Sequence, residues 1–536
     1  MKRFPNGVRP LGLMAALALF GASAPGAQDY WFDFADGAES ASAESASAES
    51  ASAESASAGN GATESGESAG AGNGGPGGKI GLRAGGEIAA ELLIVPRELR
   101  DKGGAVDWGN LVSAKLNFGA SSSRAEAVLN FQLSPAAIAA SGSPFWTPPV
   151  IDEAYLRVFL GPLALEAGLR KLAWGRADIR GPLDVTNPLD YTDLTNAADA
   201  MGRKIARPVI RASLPLGAAS GLEGVFIPSF QGHRYALDPD HRWYPSAITG
   251  GRRDRMIGDL AAGIVERLPV PLISPDQLAA MIQSNPNAPT IGPDDIPDTR
   301  GLEYAQGGIR FSTTLGRADI GAQYYSGHLF RPSFTIGGAE ELLATIPAIP
   351  ILQLENALQS ANLKPRLAYN RYHQIGLDYT RVIFDSGFRA ELAAFITEDL
   401  GGDDGGVYNP FLAWSAGFDR DILGFTVFVE ADGNIRLLDG RVGSSAALDT
   451  EAGSPLTATA LTAQVSRAFF QDRLEAKFGL LWNIEAADIY LMPSLSYSID
   501  DVTTVLSGGI FAGKDGGELS QYRDKAYIKT ALTYSF

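Results

Sequence analysis

Between Lys79 and Phe536 apolar residues recur at every second position, run after run, and no other feature constrains the fold as tightly. Successive side chains of a β-strand point to opposite faces, so each run reads as a strand with one apolar and one polar face. In the first, Leu82, Ala84, Gly86, Ile88, Ala90, Leu92 and Ile94 oppose Arg83, Glu87 and Glu91. Val112, Ala114, Leu116 and Phe118 then oppose Ser113, Lys115 and Asn117. Ala125, Ala127, Leu129, Phe131 and Leu133 oppose Arg124, Glu126, Asn130 and Gln132. The same pattern returns in Phe388, Ala390, Leu392, Ala394 and Ile396 against Arg389 and Glu391, and in Leu474 to Trp482 against Arg473, Glu475 and Lys477.

Alternation by itself also suits a soluble two-layered sandwich. Two further features favour a single barrel in a membrane. The polar faces carry full charges of both signs, which a water-filled lumen accommodates. The connections also alternate in length. Gly161-Pro162, Gly316-Arg317, Asp385-Ser386-Gly387 and Gln471-Asp472 are short, whereas Ser134 to Val150, Ala173 to Lys204, Phe230 to Arg300 and Phe330 to Asn370 are long. The expected fold is all-β: a transmembrane antiparallel β-barrel of about 16–18 strands. The candidate strands are 79–94, 111–118, 124–133, 152–160, 163–172, 205–214, 220–229, 301–315, 318–328, 371–382, 388–397, 412–419, 424–431, 457–469, 473–484, 489–500, 502–512 and 526–536, with 258–267 as a possible addition. With that parity both termini fall on the side of the short turns, the periplasmic side of such barrels.

The rest of the chain fits export to that destination. Lys2, Arg3 and Arg9 flank the start of an apolar core, Leu11 to Phe20, too short to span a bilayer, and Ala22-Ser23-Ala24 supplies small residues for cleavage. Residues 1–24 therefore read as a secretory signal. Residues 25–78 read as a disordered periplasmic segment: Glu-Ser-Ala-Ser-Ala repeats marked by Glu39, Glu44, Glu49 and Glu54 give way to Gly- and Ser-rich sequence. Small polar residues bury too little area to offset chain entropy. Residues 79–536 are then the barrel. No cysteine is present, which excludes disulfides, thiolate metal sites and a lipid anchor on cysteine. The four histidines, His233, His241, His328 and His373, follow no metal-ligand spacing. No metal or cofactor is expected, and a formal charge of −17 argues against a nucleic-acid partner.

The final strand places Ala526, Ile528, Thr530, Leu532, Tyr534 and Phe536 on one face, with aromatic residues at the end as in an interfacial girdle. A terminal Phe preceded by alternating apolar residues resembles the signal read by the barrel-assembly machinery of the outer membrane. The expected partners are accordingly that machinery, outer-membrane lipid and small solutes.

One loop concentrates charge. After Gly168, the segment Arg170-Lys171-Leu172-Ala173-Trp174-Gly175-Arg176-Ala177-Asp178 runs on through Arg180 and Asp184 to Asn187-Pro188-Leu189-Asp190 and Asp193. A strand ending in Trp-Gly and followed by Asn-Pro-x-Asp resembles porin-like outer-membrane β-barrel families, one of them catalogued only as a domain of unknown function. Gln374-Ile375-Gly376-Leu377-Asp378-Tyr379 with Arg389-Ala390-Glu391-Leu392 fits the same pattern. The resemblance covers residues 79–536 and implies a barrel; it assigns no catalytic residue. Folded inward, the loop narrows the pore and sets a transverse field on solutes. Folded outward, its charges are merely solvated. The candidate constriction residues are Arg170, Lys171, Arg176, Asp178, Arg180, Asp184, Asp190 and Asp193, with Arg157, Glu166, Arg207 and Arg211 on the adjoining strands.

Two loop stretches read as helical: one starting at Ser274-Pro275-Asp276, an N-cap serine with proline at the first helical position, and Glu340 to Asn362, interrupted by Pro347 and Pro350. Both are partly apolar, suited to plugging the lumen, covering its mouth or receiving a hydrophobic solute. Enzymatic readings lack a nucleophile motif, and His233 and His241 with Asp238 and Asp240 are the best available cluster. The functional expectation is a channel passing small solutes, not an enzyme. Its rivals are a transporter of hydrophobic compounds and a surface adhesin with a plugged barrel.

Overall fold

Each of the eighteen candidate segments forms a strand in the computed structural model, which describes residues 80–97, 111–140, 150–197, 199–246, 252–270, 272–284, 296–361, 363–443, 448–514 and 517–536. The expected signal, 1–24, and the expected tether, 25–78, lie outside the described residues. In chain order the strands are β1 (Gly81–Ile94), β2 (Val112–Ser121), β3 (Ala125–Leu133), β4 (Ile151–Leu160), β5 (Leu163–Arg170), β6 (Arg207–Pro215), β7 (Ser220–Ile227), β8 (Gln306–Leu315), β9 (Ala318–His328), β10 (Ser333–Gly337) and β11 (Lys364–Ala368). They continue as β12 (Arg371–Ile383), β13 (Ser386–Thr397), β14 (Phe411–Ile422), β15 (Phe425–Arg436), β16 (Thr457–Phe469), β17 (Leu474–Asn483), β18 (Asp488–Ile499), β19 (Val502–Ala512) and β20 (Tyr527–Ser535).

All of these except β10 and β11 join one 18-stranded sheet in which each strand pairs antiparallel with its neighbour in sequence. β9 passes to β12, and β20 returns to β1, with Ile88 opposite Tyr534 and Ile94 opposite Ile528. The ring therefore has no free edge, the arrangement that lets a sheet stand in lipid. Phe536 completes the seam: its N–H donates to Gly86 O and its carbonyl accepts from Gly86 N, both at 2.9 Å. The apolar face of each strand turns outward, with Leu82 78%, Leu392 52% and Leu532 50% exposed. The charged face turns inward, where Glu166 is 2% and Glu391 4% exposed. That inversion of a soluble protein is what a lipid-facing wall around a polar lumen demands.

The long connections gather at one end and build a helical cap. Residues 258–267, offered above as an additional strand, lie instead in the helix Arg252–Arg267. Met256, Ile257, Leu260, Ala261 and Ile264 recur at helical spacing on its buried side. Ser274 caps the next helix, Pro275–Gln283, in a capping box with Gln277. Glu340 to Asn362 breaks into the helices Ala339–Thr345 and Leu354–Ser360 with 3-10 turns between them, as the prolines require. The hairpin β10–β11, absent from the sequence reading, brackets those two helices. Leu260, Ile264, Leu278, Phe334, Leu342, Ile346 and Leu358 share one apolar core, so the apolar faces that suggested a hydrophobic uptake site are turned on each other. Arg255 Nη1 ties the cap to the loop after β15 through Ala452 O at 3.2 Å.

This core predicts a local effect. Leu260 has no exposed surface, so Leu260→Ala is expected to cost about 2–5 kcal/mol within the cap. Faster amide hydrogen exchange over 252–283 should appear while heat-modifiable migration of the barrel is unchanged. Unaltered exchange in these helices contradicts a cooperative cap.

Candidate functional site

The charged loop between β5 and β6 leaves the wall and crosses the lumen. Its stem is fixed by the Asn-Pro-x-Asp motif. Asn187, 4% exposed, accepts from Leu172 N at 2.8 Å just after β5. Its amide nitrogen donates to Arg170 O at 3.0 Å, at the end of β5, and to Ile205 O at 2.9 Å, just before β6. One buried amide thus clamps both ends of the loop, and Asp190 extends the clamp through Arg234 at 2.8 Å. Asn187→Ala leaves those backbone groups without their side-chain partners and is expected to destabilise the loop by about 3 kcal/mol or more. Limited proteolysis between Leu172 and Ile205 checks this; an unchanged cleavage pattern contradicts it.

Beyond the stem, Trp174 donates its indole N–H to Glu223 Oε1 at 2.6 Å and meets Tyr325 edge-on at 6.0 Å. Gly175 follows with φ of 96°, a left-handed backbone that side chains disfavour. A Cβ there would stand 2.2 Å from Glu391 Oε1, so glycine also makes room for that carboxylate. Glu391 accepts from Ala177 N at 2.8 Å, from Leu183 N at 3.1 Å and from Arg176 N. Glu430 accepts from Asp178 N at 3.1 Å and from Arg180 N at 2.8 Å. Gln323 Nε2 donates to Leu183 O at 2.9 Å, and Gln374 Nε2 to Pro182 O. Glu391 lies on β13 and Glu430 on β15, six and eight places round the ring from β5, where nine is the far side. The loop therefore spans the interior and is held to the opposite wall by two carboxylates that receive five backbone N–H groups.

The next part of the same loop turns the other way. Tyr191, Leu194 and Ala197 pack against Tyr490 and Tyr527 of β18 and β20. Tyr490 Oη donates to Leu194 O at 3.0 Å, and Lys529 Nζ to Asn196 Oδ1 at 3.1 Å. Asp193 caps the 3-10 turn Leu194–Asn196 through Thr195 N.

The sequence-derived site residues divide in their surroundings. Arg157, Arg170 and Arg211 converge on Glu166 at 3.0, 3.3 and 2.8 Å. The same arginines reach Glu126 at 2.8 Å, Glu153 at 3.0 Å and Glu223 at 2.5 Å, so charge alternates along the wall beside the loop. Arg176 and Arg310 approach Asp378 at 3.6 and 2.7 Å, Asp178 meets Arg389 at 2.7 Å, and Arg180 meets Asp432 at 3.3 Å. Lys171 joins Asp152 at 2.5 Å, and Asp184 joins Lys204 at 2.6 Å. Arg207 is 1% exposed and donates to the carbonyls of Ser229 and Gln231, beneath the loop base. The Nδ1 atoms of His233 and His241 accept from Leu189 N at 2.9 Å and Trp243 N at 3.2 Å. Among the described residues no cluster of three or more His, Asp or Glu side chains is placed to hold a metal.

Between the loop and strands β14 and β15 lies a cavity of about 200 Å³, whose lining includes Arg180, Asp184 and Lys204 together with Phe330, Phe395 and Trp414. Sequence reasoning points to the basic and acidic residues of the loop but not to Glu430, Gln323 or Gln374, and it counts Glu391 only as one of the luminal acids. Their signal is an inward-facing polar residue on an alternating strand, the same signal given by every other luminal residue.

Fold and site together define a class: a large closed β-barrel with an apolar outer wall and a lumen narrowed by an inward charged loop. No family model matches the chain, and no curated protein matches it. Among solved structures it is similar to the outer membrane protein opdK from Pseudomonas aeruginosa, at 8% identity and TM-score 0.41, covering 85% of this chain and 99% of that one. A BenF-like porin from Pseudomonas fluorescens Pf-5 gives 9% identity and TM-score 0.42, covering 85% and 98%. OccK2 (OpdF) from Pseudomonas aeruginosa, in complex with glucuronate, gives 10% identity and TM-score 0.41, covering 85% and 95%.

Proposed function

We propose that this chain is an outer-membrane channel for small solutes, with both termini in the periplasm and with passage governed by the loop between β5 and β6. The observation that carries this reading is the placement of that loop, pinned across the lumen by Glu391 and Glu430 with charges of both signs along its length. A charged constriction in a polar lumen acts on solutes over short distances in partly excluded water, where screening is weaker than at an open surface. The neighbouring cavity has guanidinium, ammonium and aromatic groups in its lining, a combination that holds a small solute with a polar group and an apolar body. The C-terminal strand, closing the seam through Phe536, is the part offered to the barrel-assembly machinery.

Selectivity tests the reading. Replacing Arg176 and Arg180 by Ser is expected to shift ion preference toward cations, and Asp178→Ser with Asp184→Ser toward anions. Reversal potentials in a salt gradient report both. If neither pair moves the reversal potential or the single-channel conductance, the loop lies outside the conduction path.

A further inference from the structure

On the lipid face of one arc of the barrel, three successive hairpins repeat a short pattern just before their short turns. Arg381-Val382-Ile383-Phe384 ends β12, Arg420-Asp421-Ile422-Leu423 ends β14 and Arg467-Ala468-Phe469-Phe470 ends β16. The parity of each strand sets the face. Arg381 follows Ile375 and Leu377, which are 56% and 55% exposed. Arg420 follows Phe418, and Arg467 follows Val465, 44% and 39% exposed. All three arginines therefore point outward with the apolar wall, two residues before the strand's last outward side chain.

Their cross-strand neighbours on that face are apolar. Arg381 lies between Ala318 and Phe388, Arg420 opposite Val427, and Arg467 opposite Ala476. None of the three forms an ion pair among the described residues. The nearby Asp419 and Asp421 belong to the other face of β14, where Asp419 bonds Arg389 and Asp421 bonds Thr426. Arg467 lies over the rings of Phe425 and Phe469, at 4.7 and 5.2 Å, so its stem is covered while its charge has no carboxylate partner. The turn tips add bulk at the same level. Phe384, Leu423 and Phe470 are 89%, 90% and 73% exposed and hold φ of 51°, 55° and 54°, a region costly for such residues. Four other turns on this rim are small or polar, Ser122-Ser123, Gly161-Pro162, Gly316-Arg317 and Asp500-Asp501, while the turn between β6 and β7 opens on Leu216, 46% exposed, with no arginine before it on the strand's last four residues.

A guanidinium on a lipid-facing wall is stable only where it reaches the headgroup layer and finds an anion there. We propose that Arg381, Arg420 and Arg467 form a binding arc for phospholipid phosphates in the leaflet that meets the short turns. Guanidinium pairs with phosphate through two parallel hydrogen bonds, and alternate strands set the three groups about 10 Å apart along the rim. Phe384, Leu423 and Phe470 enter the same layer as apolar anchors. The proposal rests on the membrane placement proposed above.

The test uses the purified full chain carrying Arg381→Gln, Arg420→Gln and Arg467→Gln. Native mass spectrometry from detergent titrated with phosphatidylglycerol counts retained lipids, with lipid A and inorganic phosphate as parallel probes. Wild-type protein is expected to retain phosphatidylglycerol in preference to lipid A, and the triple variant to bind it about 100-fold more weakly. Equal retention by the variant, a preference for lipid A, or binding of inorganic phosphate without lipid overturns the proposal. Arg→Lys variants at the three positions, which keep the charge and lose the paired geometry, should fall between. Heat-modifiable migration of each sample shows separately whether the barrel is formed, so failure of the arc is distinguished from failure of the membrane reading. If the triple variant does not fold, the three single variants each carry the test, with about a fivefold loss expected.

Discussion

Single-channel conductance is expected to rise roughly twofold or more when Glu391 and Glu430 are both replaced by alanine, since flow follows the narrowest cross-section. The two carboxylates accept from the backbone N–H groups of Arg176, Ala177 and Leu183 and of Asp178 and Arg180. Each buried N–H left without an acceptor costs about 1–3 kcal/mol, enough in sum to favour a loop that leaves the wall and meets water. What remains on that wall are the neutral bonds of Gln323 and Gln374 to Leu183 O and Pro182 O and the pairs Arg176–Asp378, Asp178–Arg389 and Arg180–Asp432, whose charged groups can exchange their partners for water. Because the chain has no cysteine, the release can be reversed by design. A Cβ at Gly376 would stand 2.1 Å from Leu183 Cδ2, so Leu183→Cys with Gly376→Cys brings two thiols together. Oxidation in the double-alanine background should return conductance toward the wild-type value. Unchanged conductance in the double-alanine protein contradicts the latch.

Charge on the outer wall is the second large effect. Leu129 is 38% exposed on β3, with Phe118 and Ala154 as its neighbours in register. Leu129→Arg is expected to cost about 2–4 kcal/mol if the position lies near the membrane midplane, because no water or counter-charge is available there. Asn130, one residue on, faces the lumen between Asn117 and Glu153. Asn130→Arg should be nearly neutral, its guanidinium finding water and the Glu153 carboxylate. Refolding titrations into lipid vesicles compare the two. Equal destabilisation contradicts the assignment of faces.

The wall was legible in the sequence because a barrel strand writes its environment into every second residue. Leu82 to Ile94 and Phe388 to Ile396 need no partner information to be read. The helix Arg252–Arg267 was less legible, since Leu260-Ala261-Ala262-Gly263-Ile264-Val265 is a short apolar run that periodicity assigns to either element. The hairpin β10–β11 was invisible for a different reason: its two five-residue strands are separated by two helices, so no short turn announces it. The loop was recognised by its charge and by Trp174, Pro182 and Pro188, but not its path. The contacts that hold it join Arg180 to Glu430 and Ala177 to Glu391, 250 and 214 residues apart, and only closure of the ring brings them together.

Single-channel recording of the purified, heat-modifiable protein in planar bilayers separates a lumen that is narrowed but open from one that is plugged. Discrete conductance steps that scale with salt concentration are predicted. An inserted, correctly folded barrel that gives no steps at any salt concentration contradicts the channel and leaves a plugged barrel in its place.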